Sequence, residues 1–242
     1  MDAANPPFAP YVVSPPSEFA GRDELRKTVR VAVERTRAGR SARSVLIVGL
    51  RGVGKTVLLD RMRDDAEASG VQTVHIESPR DCSLPAMLVP QLRVALLRIS
   101  KLAQAEDLAV RGLRALAGFS KALKGTYGDI EIDLDFDVEP GLADNGDLEH
   151  DLQALLESAG EAAKAAGTAL VIFVDELQNV PDPQLAALIT AIHRCAQRQV
   201  PVLLVGTGLP KLRRRMGDAK PYAERLFTFH EIGPLEAGMH ND

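Results

Sequence analysis

Ser44-Val-Leu-Ile-Val-Gly49-Leu-Arg-Gly-Val-Gly-Lys55-Thr56 is the stretch whose reading decides the fold. Its first half is a short apolar run ending in glycine, which reads as a buried strand. Its second half, Gly49 to Thr56, fits the pattern G-x-x-x-x-G-K-[ST]. Gly54 then opens an amphipathic helix that carries Val57, Leu58, Leu59 and Met62 and ends at Gly70. Strand, glycine-rich turn and helix in this order build a cradle for phosphate. The glycines let the chain fold tightly and turn backbone N–H groups inward, and the helix start adds its positive dipole end. Gly49, Leu50, Arg51, Gly52, Val53, Gly54, Lys55, Thr56 and Val57 are therefore candidate nucleotide-binding residues. Within them Lys55 is expected to reach the β- and γ-phosphates, and the Thr56 hydroxyl to ligate Mg²⁺. An ordinary glycine-rich turn is the competing reading, and the strand and helix on either side weigh against it.

Two further apolar runs end in polar residues. Ala169-Leu-Val-Ile-Phe-Val174 leads into Asp175-Glu176. A buried strand has no structural need for two adjacent acids at its tip. Asp175 is expected to hold Mg²⁺ through water, and Glu176 to polarise an attacking water. Val200-Pro-Val-Leu-Leu-Val205 leads into Gly206-Thr207-Gly208. Thr207 would stand beside Asp175 and touch the γ-phosphate or the water; the alternative is a plain turn residue. The Asn-Lys-x-Asp pattern that reads guanine is missing, since the nearest run, Asn179-Val-Pro-Asp182, lacks the lysine. The expected ligand is ATP with Mg²⁺.

Outward from these runs the chain alternates strands with helices. Residues 22–38 carry Leu25, Val29 and Val33 at helical spacing, and Val71 to Glu77 reads as a strand. Leu84 to Leu102, Leu108 to Leu123, Leu148 to Ala163 and Pro183 to about Arg198 read as helices. Lys211 to Arg215 reads as a basic helical segment and Leu226 to Ile232 as a last strand. This order predicts an α/β fold: a three-layer P-loop arrangement with a mostly parallel sheet and helices on both faces. Ligands should sit at the C-terminal ends of the strands. The expected division is an extended lead-in over residues 1–20, rich in proline, followed by one core over 21–242 with a mainly helical insertion at about 78–168. Residues 129–138 alternate strictly between acids and apolar residues. They are expected to form a half-exposed strand with an acidic face, whose charges either block edge-to-edge aggregation or meet a basic partner.

The bulk composition narrows the classes. Of 242 residues, 45% are apolar and 26% charged, with a net charge of −4. That balance suits a soluble core and does not indicate a nucleic-acid binder. DNA stays open through Lys211, Arg213, Arg214 and Arg215, which a solvated helix face explains as well. No apolar run approaches the roughly 18 residues of a membrane span, and the N-terminus lacks the form of a secretory signal, so a cytoplasmic location is expected. Cys82 and Cys195 lie far apart and read as reduced thiols without a zinc site.

Taken together, Phe19-Ala-Gly-Arg-Asp-Glu-Leu25, the P-loop, Asp175-Glu-Leu-Gln178, Leu203-Leu-Val-Gly-Thr-Gly-Leu-Pro210 and Tyr222-Ala-Glu-Arg-Leu-Phe227 resemble the AAA+ ATPases, in the branch related to origin-recognition and STAND-type proteins. The resemblance spans residues 11–236. It implies that Tyr11, Val12 and the Gly21-Arg22 turn flank the adenine, and that Thr207 matches sensor 1. It also implies that Arg225 matches an arginine finger acting on the ATP of a neighbouring subunit; a surface arginine is the other reading. The implied activity is ATP hydrolysis that drives assembly or remodelling, with Lys55, Glu176, Thr207 and Arg225 as the catalytic set and a homo-oligomer or partner protein as its setting. A nucleotide-gated switch or scaffold with little turnover and a DNA-binding initiator are the alternatives. The family continues after the last core strand into a helical lid with a sensor 2 arginine. The residues after Gly233 are too few for one, so the chain reads as a fragment or a truncated form.

Overall fold

The computed structural model describes residues 22–81, 83–127 and 136–234. Five strands form one sheet in the order β2-β3-β4-β1-β5, and every pairing is parallel. They are β1 (Ser44–Val48), β2 (Gln72–Glu77), β3 (Leu170–Asp175), β4 (Val202–Gly208) and β5 (Phe227–Glu231). The helices are α1 (Asp23–Arg37), α2 (Lys55–Ala68), α3 (Leu84–Ile99), α4 (Glu106–Leu123), α5 (Leu148–Ala165), α6 (Asp182–Arg198), α7 (Lys211–Ala219) and the short α8 (Ala223–Leu226).

Strands β1, β3 and β4 are buried along their whole length, which is why their sequences are continuously apolar instead of alternating. Successive side chains still point to opposite faces. Val45 and Ile47 join Val29 and Val33 of α1 and Leu58, Leu59 and Met62 of α2 in one core. Leu46 and Val48 join Leu88, Leu116, Leu155 and Leu188 of α3 to α6 in the other. The sheet is thus covered on both faces, as the alternation of elements predicts. Among the described residues, no helix is long and apolar enough to cross a membrane.

One expectation needs correcting. Residues 128–135 of the acidic stretch lie outside the described residues, but Phe136 to Val138 belong to no strand. Phe136 packs onto the larger core instead. The chain beyond it runs hard against α4: a methyl group on Gly118 would sit 2.9 Å from the Leu142 carbonyl oxygen and 3.4 Å from Val138 Cγ1. Contact with a helix flank has replaced strand pairing at this end of the segment.

Candidate nucleotide site

The loop between β1 and α2 is fixed at its β1 end. Ile232 N–H donates to Val48 O at 2.8 Å, and Gly49 N–H donates to Gly208 O at 3.1 Å. Gly49 has no room for a side chain, because a methyl group there would lie 2.5 Å from Ile232 O. Gly52 and Gly54 have open space around them but take φ of +79° and +84°, a left-handed backbone that glycine adopts without steric cost. Val53 is buried in the α1–α2 core and anchors the loop, while Leu50 is 66% exposed at its tip. Arg51, Gly52 and Thr56 are exposed, and Val57 is half-buried. Lys55 is only 5% exposed. Its ammonium donates to Gly49 O at 3.1 Å and Leu50 O at 2.8 Å, so it lies inside the curve of the loop.

The neighbouring strands bring polar groups to the same edge of the sheet. Val48 pairs with Gly208, and Val174 pairs with Gly206. The ends of β1, β4 and β3 therefore stand side by side, with β3 two strand spacings, about 10 Å, from β1. Asp175 is 2% exposed and Thr207 fully buried. Thr207 Oγ1 donates to Asp175 Oδ1, and Glu176 N–H donates to the same oxygen at 2.8 Å. Thr207 is thus a strand residue facing Asp175, not part of a turn. Its flanking glycines are dictated by crowding. A methyl group on Gly206 would lie 2.8 Å from Leu46 Cδ2, and one on Gly208 would lie 2.6 Å from Leu212 Cδ2 and 2.9 Å from Gln178 Oε1.

Glu176 adopts φ +52°, ψ +39°, a left-handed conformation uncommon for a residue with a side chain. It terminates β3 and starts a 3-10 turn, Leu177–Asn179. Its Oε2 accepts a hydrogen bond from Gln178 Nε2.

Of the residues expected around the adenine, Tyr11, Val12 and Gly21 lie outside the described residues. Arg22 is described, and its Nη2 donates to Gly233 O at 2.6 Å. That carbonyl is one residue past Ile232, the neighbour of Gly49, so Arg22 flanks the loop on the β5 side. Arg225 lies elsewhere. It is exposed on α8, just before β5, and Phe227 pairs with Ser44 at the start of β1. Arg225 therefore lies towards the opposite edge of the sheet, with the length of β1, about 13 Å, between that edge and the loop.

The family described as AAA ATPase domain matches residues 18–205. The chain belongs to that family. Among solved structures, this AAA ATPase domain is similar to an origin-recognition protein of Aeropyrum pernix in its ADP form, at 14% identity and a TM-score of 0.48, covering 93% of this chain and 50% of that one. It is also similar to a DNA replication initiation factor, at 12% identity and a TM-score of 0.45, covering 92% and 48%. A third likeness is to a chain of a Drosophila origin-recognition complex bound to AT-rich DNA and Cdc6, at 12% identity and a TM-score of 0.43, covering 89% and 58%. The domain spans about half the length of these chains. No curated protein matches it.

Sequence reasoning missed two residues that shape the site. Sequence alone places Gln178 in the run Asp175-Glu-Leu-Gln178 without assigning it a role, and groups Arg215 with the surface cations. The basic run is not one solvated face. Arg215 turns inward, where Nη1 donates to Gln178 O and Nη2 to Val180 O at 2.9 Å, and its guanidinium also pairs with Asp182. The signal was present in the spacing: Leu212 and Met216, the buried residues of α7, share a helix face with Arg215. Arg213 lies over the Phe229 ring, 5.5 Å from its centroid, and Arg214 is left exposed.

Proposed function

We propose that this AAA ATPase domain binds Mg–ATP in the loop from Gly49 to Thr56 and hydrolyses the β–γ phosphoanhydride. The observation that carries the reading is the pair at the end of β3. Asp175 is held by Thr207 on one oxygen, Oδ1, which leaves Oδ2 for a further ligand, and Glu176 stands next to it with its carboxylate at the sheet edge.

The residues present fit the ion. Thr56 offers an exposed hydroxyl on the first turn of α2, and Asp175 offers a carboxylate oxygen at the neighbouring strand end. Oxygen donors of this kind suit magnesium, which is usually held by one or two protein oxygens together with phosphate and water. When bound, the ion supplies positive charge against the β- and γ-phosphate oxygens.

The protein's own groups do the rest. The Lys55 ammonium leaves the loop carbonyls for the phosphates, exchanging neutral acceptors for charged ones. The backbone N–H groups of the loop and the start of α2 hold the phosphate chain. Glu176 accepts a proton from water as the water oxygen bonds to the γ-phosphorus. The bond to the bridging β–γ oxygen breaks, releasing ADP and phosphate. Thr207 keeps Asp175 in place. Arg225, placed towards the opposite end of the sheet from its own loop, stabilises charge on the phosphoryl group bound by an adjacent subunit or partner protein. This makes the domain an assembling ATPase.

The test is phosphate release from Mg–ATP measured over a range of protein concentrations, with Glu176→Gln alongside. Specific activity that rises with concentration and is lost in the variant supports the reading. ATP binding with turnover no higher than that of Glu176→Gln at every concentration replaces it with a nucleotide-gated switch.

A further inference from the structure

We infer that Gln178 is a positioning residue for Glu176: its amide aims the carboxylate, and it is itself held by the junction of β4 with α7. The inference rests on the hydrolytic reading above and adds to it the device that sets the base.

Gln178 is 6% exposed, and both ends of its amide are used. Oε1 accepts the N–H of Leu209, the residue directly after β4, at 3.0 Å. Nε2 donates to Glu176 Oε2. The chemistry fixes which end is which. Leu209 N–H is only a donor, so the amide oxygen must face it, and the amide nitrogen is left to face the carboxylate, which is only an acceptor. No other uncharged side chain of similar shape accepts at one end and donates at the other, apart from a shorter asparagine. Gly208 keeps the space open, since a methyl group there would press on Gln178 Oε1.

The backbone of the same residue is tied down as well. Arg215 of α7 donates to Gln178 O and Val180 O and pairs with Asp182. The 3-10 turn is thus clamped between β4 and α7. Glu176 needs such an external hold. Its own backbone is left-handed and its strand has ended, so nothing in β3 sets the direction of its side chain. With Oε2 occupied by the amide, Oε1 is the oxygen left for water.

Two substitutions test this. Gln178→Leu removes both hydrogen bonds. Gln178→Glu keeps the acceptor for Leu209 N–H, and with it the local fold, but replaces the donor with a second carboxylate. Both are expected to lower kcat roughly tenfold to a hundredfold, with KM for Mg–ATP within about twofold of wild type, as for an interaction made only with the reacting groups. Wild-type kcat in Gln178→Glu overturns the positioning role while leaving hydrolysis standing. Wild-type turnover no higher than that of Glu176→Gln overturns both readings together.

Discussion

Thr207 on β4 gives its hydroxyl proton to Asp175 on β3, and the oxygen it reaches is the one that also takes the N–H of Glu176. A threonine with no solvent exposure therefore sets which oxygen of the aspartate stays available. Thr207→Val preserves shape and removes the hydroxyl, which donates to Asp175 and also accepts the Glu176 N–H at 3.4 Å. It is expected to cost about 1.5–3 kcal/mol of stability, the range for a hydrogen bond to a charged group, and to reduce turnover while ATP still binds. Urea unfolding and phosphate release measure the two effects, and a variant as stable and as active as wild type would count against the role given to Thr207.

Gly49 and Gly217 should respond oppositely to alanine. At Gly49 the new methyl group meets Ile232 O at 2.5 Å, whereas at Gly217 of α7 it meets nothing within 4 Å. Gly49→Ala should lose about 1–3 kcal/mol by overpacking and weaken nucleotide binding through the distorted loop. Gly217→Ala should gain roughly 0.5–1 kcal/mol from a stiffer unfolded chain and better helix propensity. Paired melting curves check both signs.

His230 gives a pH dependence with a defined direction. Burial on β5 pushes its pKa below the ordinary 6.5, and its Nε2 is buried with no hydrogen-bond partner among the described residues. The folded protein therefore favours the neutral ring, and the unfolded chain binds the proton more readily. By linkage, this contribution to stability is fully present above about pH 6.5 and is lost as pH falls towards the lower folded value. The urea midpoint of wild type should drop more steeply between pH 7 and pH 5 than that of His230→Leu. Equal slopes would rule the histidine out as a source of the dependence.

Lys55→Ala and Arg225→Ala should each be inactive alone, the first through loss of the phosphate contact and the second through loss of the arginine given to a neighbour. Mixed, they should recover activity, because an intact loop on one chain can meet an intact arginine on another. A mixture as inactive as its components would leave Arg225 as a surface residue.

The parts of the site that come from one continuous strand and its tip were legible in the sequence. Val45 to Val48 and Leu170 to Val174 are apolar because both sheet faces are covered, and the polar residues after them stand out for the same reason. Gly52 and Gly54 carry their reason locally, in two left-handed φ angles, whereas Gly49 owes its own to the distant Ile232 O. What stayed hidden joins elements far apart in the chain. Gln178 reaches Leu209 across 31 positions and Arg215 reaches Gln178 across 37, and no local pattern announces such bonds. The basic run misled because charge alone does not give helix phase, while Leu212 and Met216 do. For residues 129–138, alternation was read as strand pairing. In the part that is described, Phe136 packs on the larger core and Val138 lies beside Gly118 of α4.

The parallel sheet gives each domain a polarity. The Gly49–Thr56 loop is at one end of the strands and Arg225 towards the other, so the proposed contact between an arginine and a foreign loop would join unlike surfaces, and successive copies would be related head-to-tail. Such a relation has a counting consequence. In an open row, the last loop has no arginine to complete it, so a row always has one idle site. Only a closed ring completes them all. Catalytic output per chain would then report directly whether the ends have met.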